Sequence, residues 1–241
     1  MSIERPGEFK ITDRALEIAN FKEGSRILDI GCGEGDTVNH LNEMGMKAEG
    51  IEMNLTKIVE AKKKFPGINV NYGDGEFLDE WPSYTFDGIT MECVLSLINI
   101  PEESLNEAYC VLKKGGKLII TDLYERDPDP KQMAVVAMEA KRQSRLPHHE
   151  GDCENRGLKY VDFRFEGAFY KEPLIKMIEE VGFKVKAFED FSIELDNYAA
   201  QIMLDGGKLE DACKGLKLEH NGQRRKIGYF MIVAEKPLLT R

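Results

Sequence analysis

The sequence predicts an α/β protein built on a mostly parallel sheet with helices on both faces. Three observations predict it. Short β-rich runs alternate with segments of helical apolar spacing between residues 26 and 122. One strand–helix join is a glycine turn, Gly31-Cys32-Gly33-Glu34-Gly35. The chain of 241 residues is 42% hydrophobic, enough for one sizeable core or a core plus a small cap.

Residues 14–19 have the apolar spacing of a short helix, with Thr12 or Asp13 as its cap. Residues 26–30 read as the first strand, and after the glycines Val38, Leu41 and Met44 recur at helical spacing. Residues 47–52 form a second strand, 55–65 a helix and 68–72 a third strand. Residues 86–91 form a fourth strand, and 101–112 a helix with Pro101 in its first turn. Gly115-Gly116 turns the chain into a fifth strand at 117–122. The alternation then breaks: 126–130 is a loop, 131–145 a helix and 147–157 an irregular polar stretch. A helix at 172–181 ends at Gly182 and leads to a sixth strand at 183–188. Two helices, 195–204 and 209–216, precede a last strand at 229–235. The expected organisation is one domain over 1–241 with cap segments at about 123–170 and 190–226.

The charge balance, 33 Lys+Arg against 43 Asp+Glu, gives a net charge of −10. This argues against general nucleic-acid binding, which needs clustered basic residues to neutralise phosphates. No apolar run opens the chain and none approaches the ~20 residues that span a bilayer, so a cytoplasmic protein with no membrane partner is expected. The five cysteines, Cys32, Cys93, Cys110, Cys153 and Cys213, form no CxxC pair. Neither a zinc site nor a disulfide framework is indicated, and reduced thiols are expected.

Glycines at a strand–helix turn let the backbone approach a bound ligand closely. Many nucleotide sites share this geometry, and three further features narrow it. The third glycine of the GxGxxG dinucleotide fingerprint would fall at position 36, where Asp36 stands. A diphosphate would also be repelled by Glu34 and Asp36. Asp29 precedes the first glycine by two residues, and Glu52 ends the second strand 21 residues after Gly31. A carboxylate there can accept both hydrogens of a ribose diol. Asp74, in Gly73-Asp74-Gly75-Glu76, can accept a hydrogen bond from an adenine amine; Gly-Asp-Gly is also an ordinary turn. Three acids, with no Lys or Arg in the loop, suit an adenosine that carries positive charge and no phosphate. S-adenosylmethionine has those properties.

The run Ile27-Leu28-Asp29-Ile30-Gly31-Cys32-Gly33-Glu34-Gly35 resembles motif I of class I S-adenosylmethionine-dependent methyltransferases. Glu52, Asp74, the Phe86-Asp87-Gly88-Ile89 strand and the turn at 112–118 match that family's later motifs in order. The resemblance covers residues 10–123 specifically and 170–236 loosely. The stretch from Glu92 to Leu97, with Lys226 to Phe230, is similar to a group of small bacterial methyltransferases with no secure substrate. The resemblance implies a Rossmann-like, doubly wound sheet of seven strands with the last antiparallel, plus helical cap insertions. It implies that the Gly31, Cys32 and Gly33 backbone lies under the methionine and ribose, and that Asp29 orients the loop or reaches the amino group through water. Glu52 would take the ribose hydroxyls, Met53 would pack on the adenine, and Asp74 would meet its amine with Gly75 or Glu76 beside it. Glu92 and Cys93 would face the methionine end and the acceptor.

With the acidic charge, the expected acceptor is a small molecule, with a thiol, selenol or other soft nucleophile in view; a thiol or selenol partly ionised near neutrality can do without a base. An alcohol would need one, and Glu92, His148, His149 and Asp152 are the candidates by position. Adjacent histidines in a polar stretch read more simply as a solvated loop, and no metal site is expected. Cys93 reads as a small buried thiol or as a group beside the transferred methyl. A trio of thiols could bind a metalloid such as arsenite, a possibility that spacing alone does not test. Asp122, Tyr124, Tyr160 and Tyr170 are further possible acceptor contacts. Two other readings stand beside methyl transfer, an NAD-dependent oxidoreductase and a non-catalytic cofactor-binding protein. Oligomeric state is left open.

Overall fold

The computed structural model describes residues 5–131, 133–134, 136, 138, 149–151, 156–158, 164–208, 212, 216–220 and 222–238. The elements in chain order are α1 (Lys10–Ala19), β1 (Arg26–Ile30), α2 (Asp36–Glu43), β2 (Lys47–Glu52), α3 (Leu55–Lys64), β3 (Val70–Tyr72), β4 (Phe86–Glu92), α4 (Pro101–Val111) and β5 (Leu112–Glu125). There follow β6 (His149–Gly151), β7 (Arg156–Leu158), β8 (Arg164–Phe165), β9 (Ala168–Phe169), α5 (Lys171–Val181), β10 (Lys184–Asp190), α6 (Ser192–Leu204), β11 (Glu219–His220), β12 (Gln223–Arg224) and β13 (Ile227–Glu235).

Seven strands form the main sheet in the order β10-β13-β5-β4-β1-β2-β3, with the β8–β9 hairpin attached to β5 through β9. β1 pairs parallel with β2 and β4, β2 with β3, and β4 with β5. β13 runs antiparallel to both β5 and β10. The Rossmann-like arrangement, with the last strand reversed, is thus realised. The central strands are buried on both faces, as parallel strands between helical layers must be. One apolar layer joins Leu105 and Ala108 of α4 to Leu174 and Met177 of α5. The other joins Ile11 and Ala15 of α1, Val38 of α2, Ile58 of α3 and Leu195 of α6.

From β1 the chain builds outward to β2 and β3, then returns to add β4 and β5 on the opposite side. Between β1 and β4 the following segments leave in different directions, which opens a crevice at the carboxyl ends of these strands.

Several expectations need correction. α1 starts at Lys10, with Phe9 at its N-cap, so Thr12 lies inside the helix and its hydroxyl serves another purpose. The Gly115-Gly116 turn is a bulge within a longer β5, where the register shifts between the Phe86–Leu112 and Gly88–Lys117 pairs. The first inserted segment is not purely helical. β6 and β7 pair antiparallel inside the stretch expected to be irregular, and β8 pairs with β9 nearby. Strands of two or three residues carry too little alternation to announce themselves. Within the second expected helix of the other insertion, only Ala212 and Leu216 lie among the described residues. Cys110 is disulfide-bonded, against the expectation of reduced thiols, whereas Cys32 and Cys93 are free. Sequence gaps do not disclose which thiols the fold brings within reach.

Gly88 in β4 has no room for a side chain: an added Cβ would strike the Phe21 ring and lie 2.7 Å from Ile27 Cδ1. Gly88→Ala is therefore expected to destabilise the fold by about 1–3 kcal/mol. A urea midpoint that does not move would refute this close approach.

Candidate active site

The loop from β1 to α2 is stitched to the end of β2. Gly31 and Cys32 both donate their backbone N–H to the Ile51 carbonyl, at 2.8 and 3.0 Å. The Gly33 N–H donates to Glu52 Oε2 at 3.0 Å, and Glu52 Oε1 accepts the Asn54 N–H at 2.8 Å. The Glu52 carboxylate therefore braces the glycine loop while keeping lone pairs to spare. Gly31 and Gly33 have left-handed backbone, with φ of +70° and +56°. A Cβ on Gly31 would collide with Val94, whereas one on Gly33 would meet nothing within 4 Å. The outer side of Gly33 is an open cradle.

A cavity of about 590 Å³ lies above this loop, lined by Asp29, Gly31, Cys32, Gly33, Glu92 and Cys93 among others. Asp29 is buried and accepts the Thr90 hydroxyl at 2.6 Å. Burial, and then the charge of Glu92, push its carboxyl up to about 8, against the pull of Thr90 and Arg5. Glu92, at the end of β4, is fully engaged. Its Oε1 accepts the Thr12 hydroxyl at 2.6 Å. Its Oε2 accepts the Thr37 hydroxyl at 2.6 Å and pairs with the Arg5 guanidinium.

Cys93 follows with left-handed backbone, φ +56°, rare for a residue other than glycine. Its Sγ lies 2.8 Å from the Tyr229 hydroxyl, which donates to Thr121 Oγ1 at 2.8 Å. Burial and the neighbouring Asp122 push the Cys93 thiol up to about 12, so it is protonated at neutral pH. Asp122, buried at the end of β5, accepts the Ser96 N–H at 2.7 Å and the Leu123 N–H at 2.8 Å. Burial raises its carboxyl above the usual range, and those hydrogen bonds oppose the rise.

The remaining candidates sit elsewhere. Met53 is 57% exposed beside Glu52. Asp74, Gly75 and Glu76 form the turn after β3, outside the wall of this cavity. Asp74 Oδ1 accepts the Glu76 N–H at 3.0 Å, and Glu76 Oε1 accepts the Ile100 N–H at 3.0 Å just before α4. A Cβ on Gly75 would lie 2.6 Å from Ile30 Cγ2, so glycine is required there by packing. His149 lies on β6 with its side chain outside the described residues, as are His148, Asp152, Cys153, Tyr160 and Cys213. Tyr170 is fully buried, and the Tyr124 hydroxyl donates to Asp190.

The cavity also holds basic groups that the loop sequence does not disclose. Lys64 reaches over from α3 to Asp36 at 2.9 Å and Glu34 at 3.3 Å, neutralising the acids expected to repel a phosphate. Arg5, Thr12 and Thr37 are functional candidates that sequence reasoning missed. Thr37 directly follows the glycine loop, but nothing in the spacing marks Arg5.

Residues 21–166 match the family described as "Methyltransferase domain", and the chain belongs to this family. It is a class I S-adenosylmethionine-dependent methyltransferase by fold and motif order. Demethylmenaquinone methyltransferase of Thermus thermophilus is 27% identical over 180 residues, covering 72% of this chain and 80% of that protein. A protein of the same name from Renibacterium salmoninarum is 28% identical, covering 41% of each chain. Arsenite methyltransferase of Rattus norvegicus is 31% identical, covering 45% of this chain and 34% of that one. The chain thus spans less than half the length of two of these three relatives. Among solved structures, the [4+2]-cyclase SpnF superposes with a TM-score of 0.66 at 19% identity, covering 95% of this chain and 80% of that one. Phosphoethanolamine N-methyltransferase 2 of Haemonchus contortus, in complex with S-adenosyl-L-methionine, gives 0.62 at 19% identity, covering 98% and 54%. These two establish the fold alone, and the cyclase is a reminder that this fold does not by itself define a reaction.

The residues present fit S-adenosylmethionine: an open glycine cradle, a carboxylate bracing it, and buried acids on the same cavity. No described helix is long and apolar enough to cross a membrane.

Asp29 makes stability pH-dependent. Its folded value, about 8, lies above the ordinary carboxyl value of 3.8. The native state therefore holds the extra proton between these limits, and this contribution is lost as pH rises through about 8. Asp29→Asn is expected to raise Tm relative to wild type more at pH 8.5 than at pH 5.5. An equal shift at both pH values in thermal melts contradicts the assignment.

Proposed function

We propose that the chain moves the methyl group of S-adenosylmethionine to a small-molecule soft nucleophile, a thiol or selenol. The carrying observation is that each acid described on the cavity wall near Cys93 already accepts hydrogen bonds from its neighbours, Glu92 the most. Glu92 is held by Arg5, Thr12 and Thr37, Asp29 is buried against Thr90, and Asp122 accepts two backbone N–H groups. An acceptor partly ionised near neutrality suits such a wall, because no proton has to be taken from it in the transition state. Relatives named for demethylmenaquinone and for arsenite support an acceptor of small size.

The bound sulfonium supplies a methyl group already activated for displacement at carbon. The protein then has to align and dehydrate the reactants, holding the acceptor atom at ~3–3.5 Å in line with the breaking bond. On this reading the Gly31, Cys32 and Gly33 backbone underlies the methionine and ribose, and Glu52 receives the ribose hydroxyls with its spare lone pairs. Met53 covers the adenine, Asp74 meets its amine beside Gly75 and Glu76, and Asp29 answers the amino group through water. Cys93, kept protonated, presents a soft hydrogen-bonding surface at the acceptor end and does not act as a nucleophile.

Two measurements test this. Glu52→Ala is expected to weaken S-adenosylhomocysteine binding by about 1–3 kcal/mol, through a lost charge-assisted contact and a slackened Gly33 loop. An unchanged Kd in calorimetry removes the ribose assignment. In a panel of thiols, selenols, alcohols and amines, S-adenosylhomocysteine release is expected with the thiols or selenols. Its rate should rise with pH and level off near the acceptor's own pKa. A preference for alcohols, or a profile that ignores the acceptor's pKa, overturns the soft-nucleophile reading.

A further inference from the structure

The chain reaches the cavity beside Glu92 and Cys93 a second time, from its N-terminal side. Arg5 precedes α1 across a tight turn in which Gly7 and Glu8 have φ of +68° and +50°. Its side chain is only 13% exposed, and that of its partner Glu92 only 6%. The guanidinium sits in a socket drawn from three separate elements. Nη1 donates to Thr37 of α2 at 2.7 Å and to Glu92 of β4; Nη2 donates to Thr12 of α1 at 3.1 Å. Nε donates to the Glu8 carbonyl at 3.0 Å, and the Phe9 ring lies beneath at 4.9 Å.

An ion pair with so little water around it adds little net stability over well-packed apolar groups. Its chemistry points elsewhere. A guanidinium has five N–H groups, and the four contacts above leave one on Nη2. Both Arg5 and Pro6 line the cavity beside Glu92 and Cys93. This end lies across β1 from β2, whose terminal Glu52 marks the ribose end.

The cofactor brings three charges to that region: a sulfonium, an ammonium and a carboxylate. Buried acids are available for the cations, but a buried carboxylate needs a cation of its own. Of the described basic residues on the cavity, Lys64 is held by Glu34 and Asp36, and Lys57 stands exposed on α3 next to the ribose end. Arg5 alone among these is buried at the methionine end. We propose that Arg5 is the cation that receives the cofactor's α-carboxylate, and that Glu92, Thr12 and Thr37 form the socket that aims it. This rests on the S-adenosylmethionine reading. Glu92 then serves as a positioning residue, and residues 5–9 form a strap that closes the cavity over the amino-acid end of the ligand.

The test compares two ligands that differ in the amino-acid part. S-adenosylhomocysteine carries the carboxylate; 5′-methylthioadenosine keeps the adenosine and sulfur and lacks it. Calorimetric titration of both is run on wild type, Arg5→Ala, Arg5→Lys and Glu92→Gln. Arg5→Ala is expected to weaken S-adenosylhomocysteine about tenfold to a hundredfold, the loss of a charge-assisted contact. Methylthioadenosine affinity should change less than about threefold. Arg5→Lys should recover part of the loss, since it keeps the charge without the planar fork. Glu92→Gln should fall between wild type and Arg5→Ala. If Arg5→Ala misfolds by circular dichroism, the double variant Arg5→Ala/Glu92→Gln, which leaves no unpaired buried charge, is read by the same criterion. Equal losses for both ligands, no loss for either, or tighter S-adenosylhomocysteine binding each overturn the proposal. The last result would make Arg5 a plug. Wild-type protein that binds neither ligand defeats the cofactor reading itself, a failure distinct from the other three.

Discussion

The site depends on a constraint of chain routing. A parallel sheet built outward in both directions from β1 must send the segments after β1 and β4 apart. That divergence leaves a crevice whose floor is backbone. Arranged around it are Asp29 at the end of β1, Glu92 and Cys93 at the end of β4, and Asp122 near the end of β5. The glycine loop can lie against the crevice because three of its residues have backbone angles that side chains resist. The end of β2 holds that loop in place through Ile51 and Glu52.

The crevice concentrates acids with little water. Asp29 and Asp122 are both raised, and Arg5 is the buried counter-charge. Such an arrangement is unfavourable for an empty fold and suited to a cationic guest, since a ligand bringing its own positive charge relieves the burial of the carboxyl groups. The same low-water environment keeps the Cys93 thiol and the Tyr229 hydroxyl protonated, so they present hydrogen-bonding dipoles and no net charge. The left-handed backbone at Cys93 turns the chain off the end of β4 and directs Sγ to Tyr229.

Much of this was legible in the amino-acid order, for a local reason. A glycine turn between a strand and a helix, and an acid at the end of the next strand, are written within two dozen residues of one another. Arg5 was not legible, because its partners Thr12, Thr37 and Glu92 lie 7, 32 and 87 residues away. Thr12 looked like a helix cap because a hydroxyl near a helix start has that use. Only the packing of α1 across β13 and β5 brings it to Glu92. Gly75 and Glu76 also carry structural ties that their place after the third strand does not disclose, Gly75 by its close approach to Ile30 and Glu76 by its bond to the Ile100 N–H. The β6–β7 hairpin was hidden by brevity, and the Cys110 disulfide because thiol pairing leaves no periodic trace.

The position of β13 bears on how the molecule is made. This strand, the last in the main sheet, is wedged between β5 and β10 and contributes Phe230 and Ile232 to one apolar layer and Met231 and Val233 to the other. During synthesis the earlier strands emerge with the β5 edge bare, and β10 has no neighbour through which to join them. Contacts of such long sequence separation form slowly, and a bare edge invites pairing between nascent chains. The sheet is completed, and its two apolar layers sealed, only when residues 227–235 have left the ribosome.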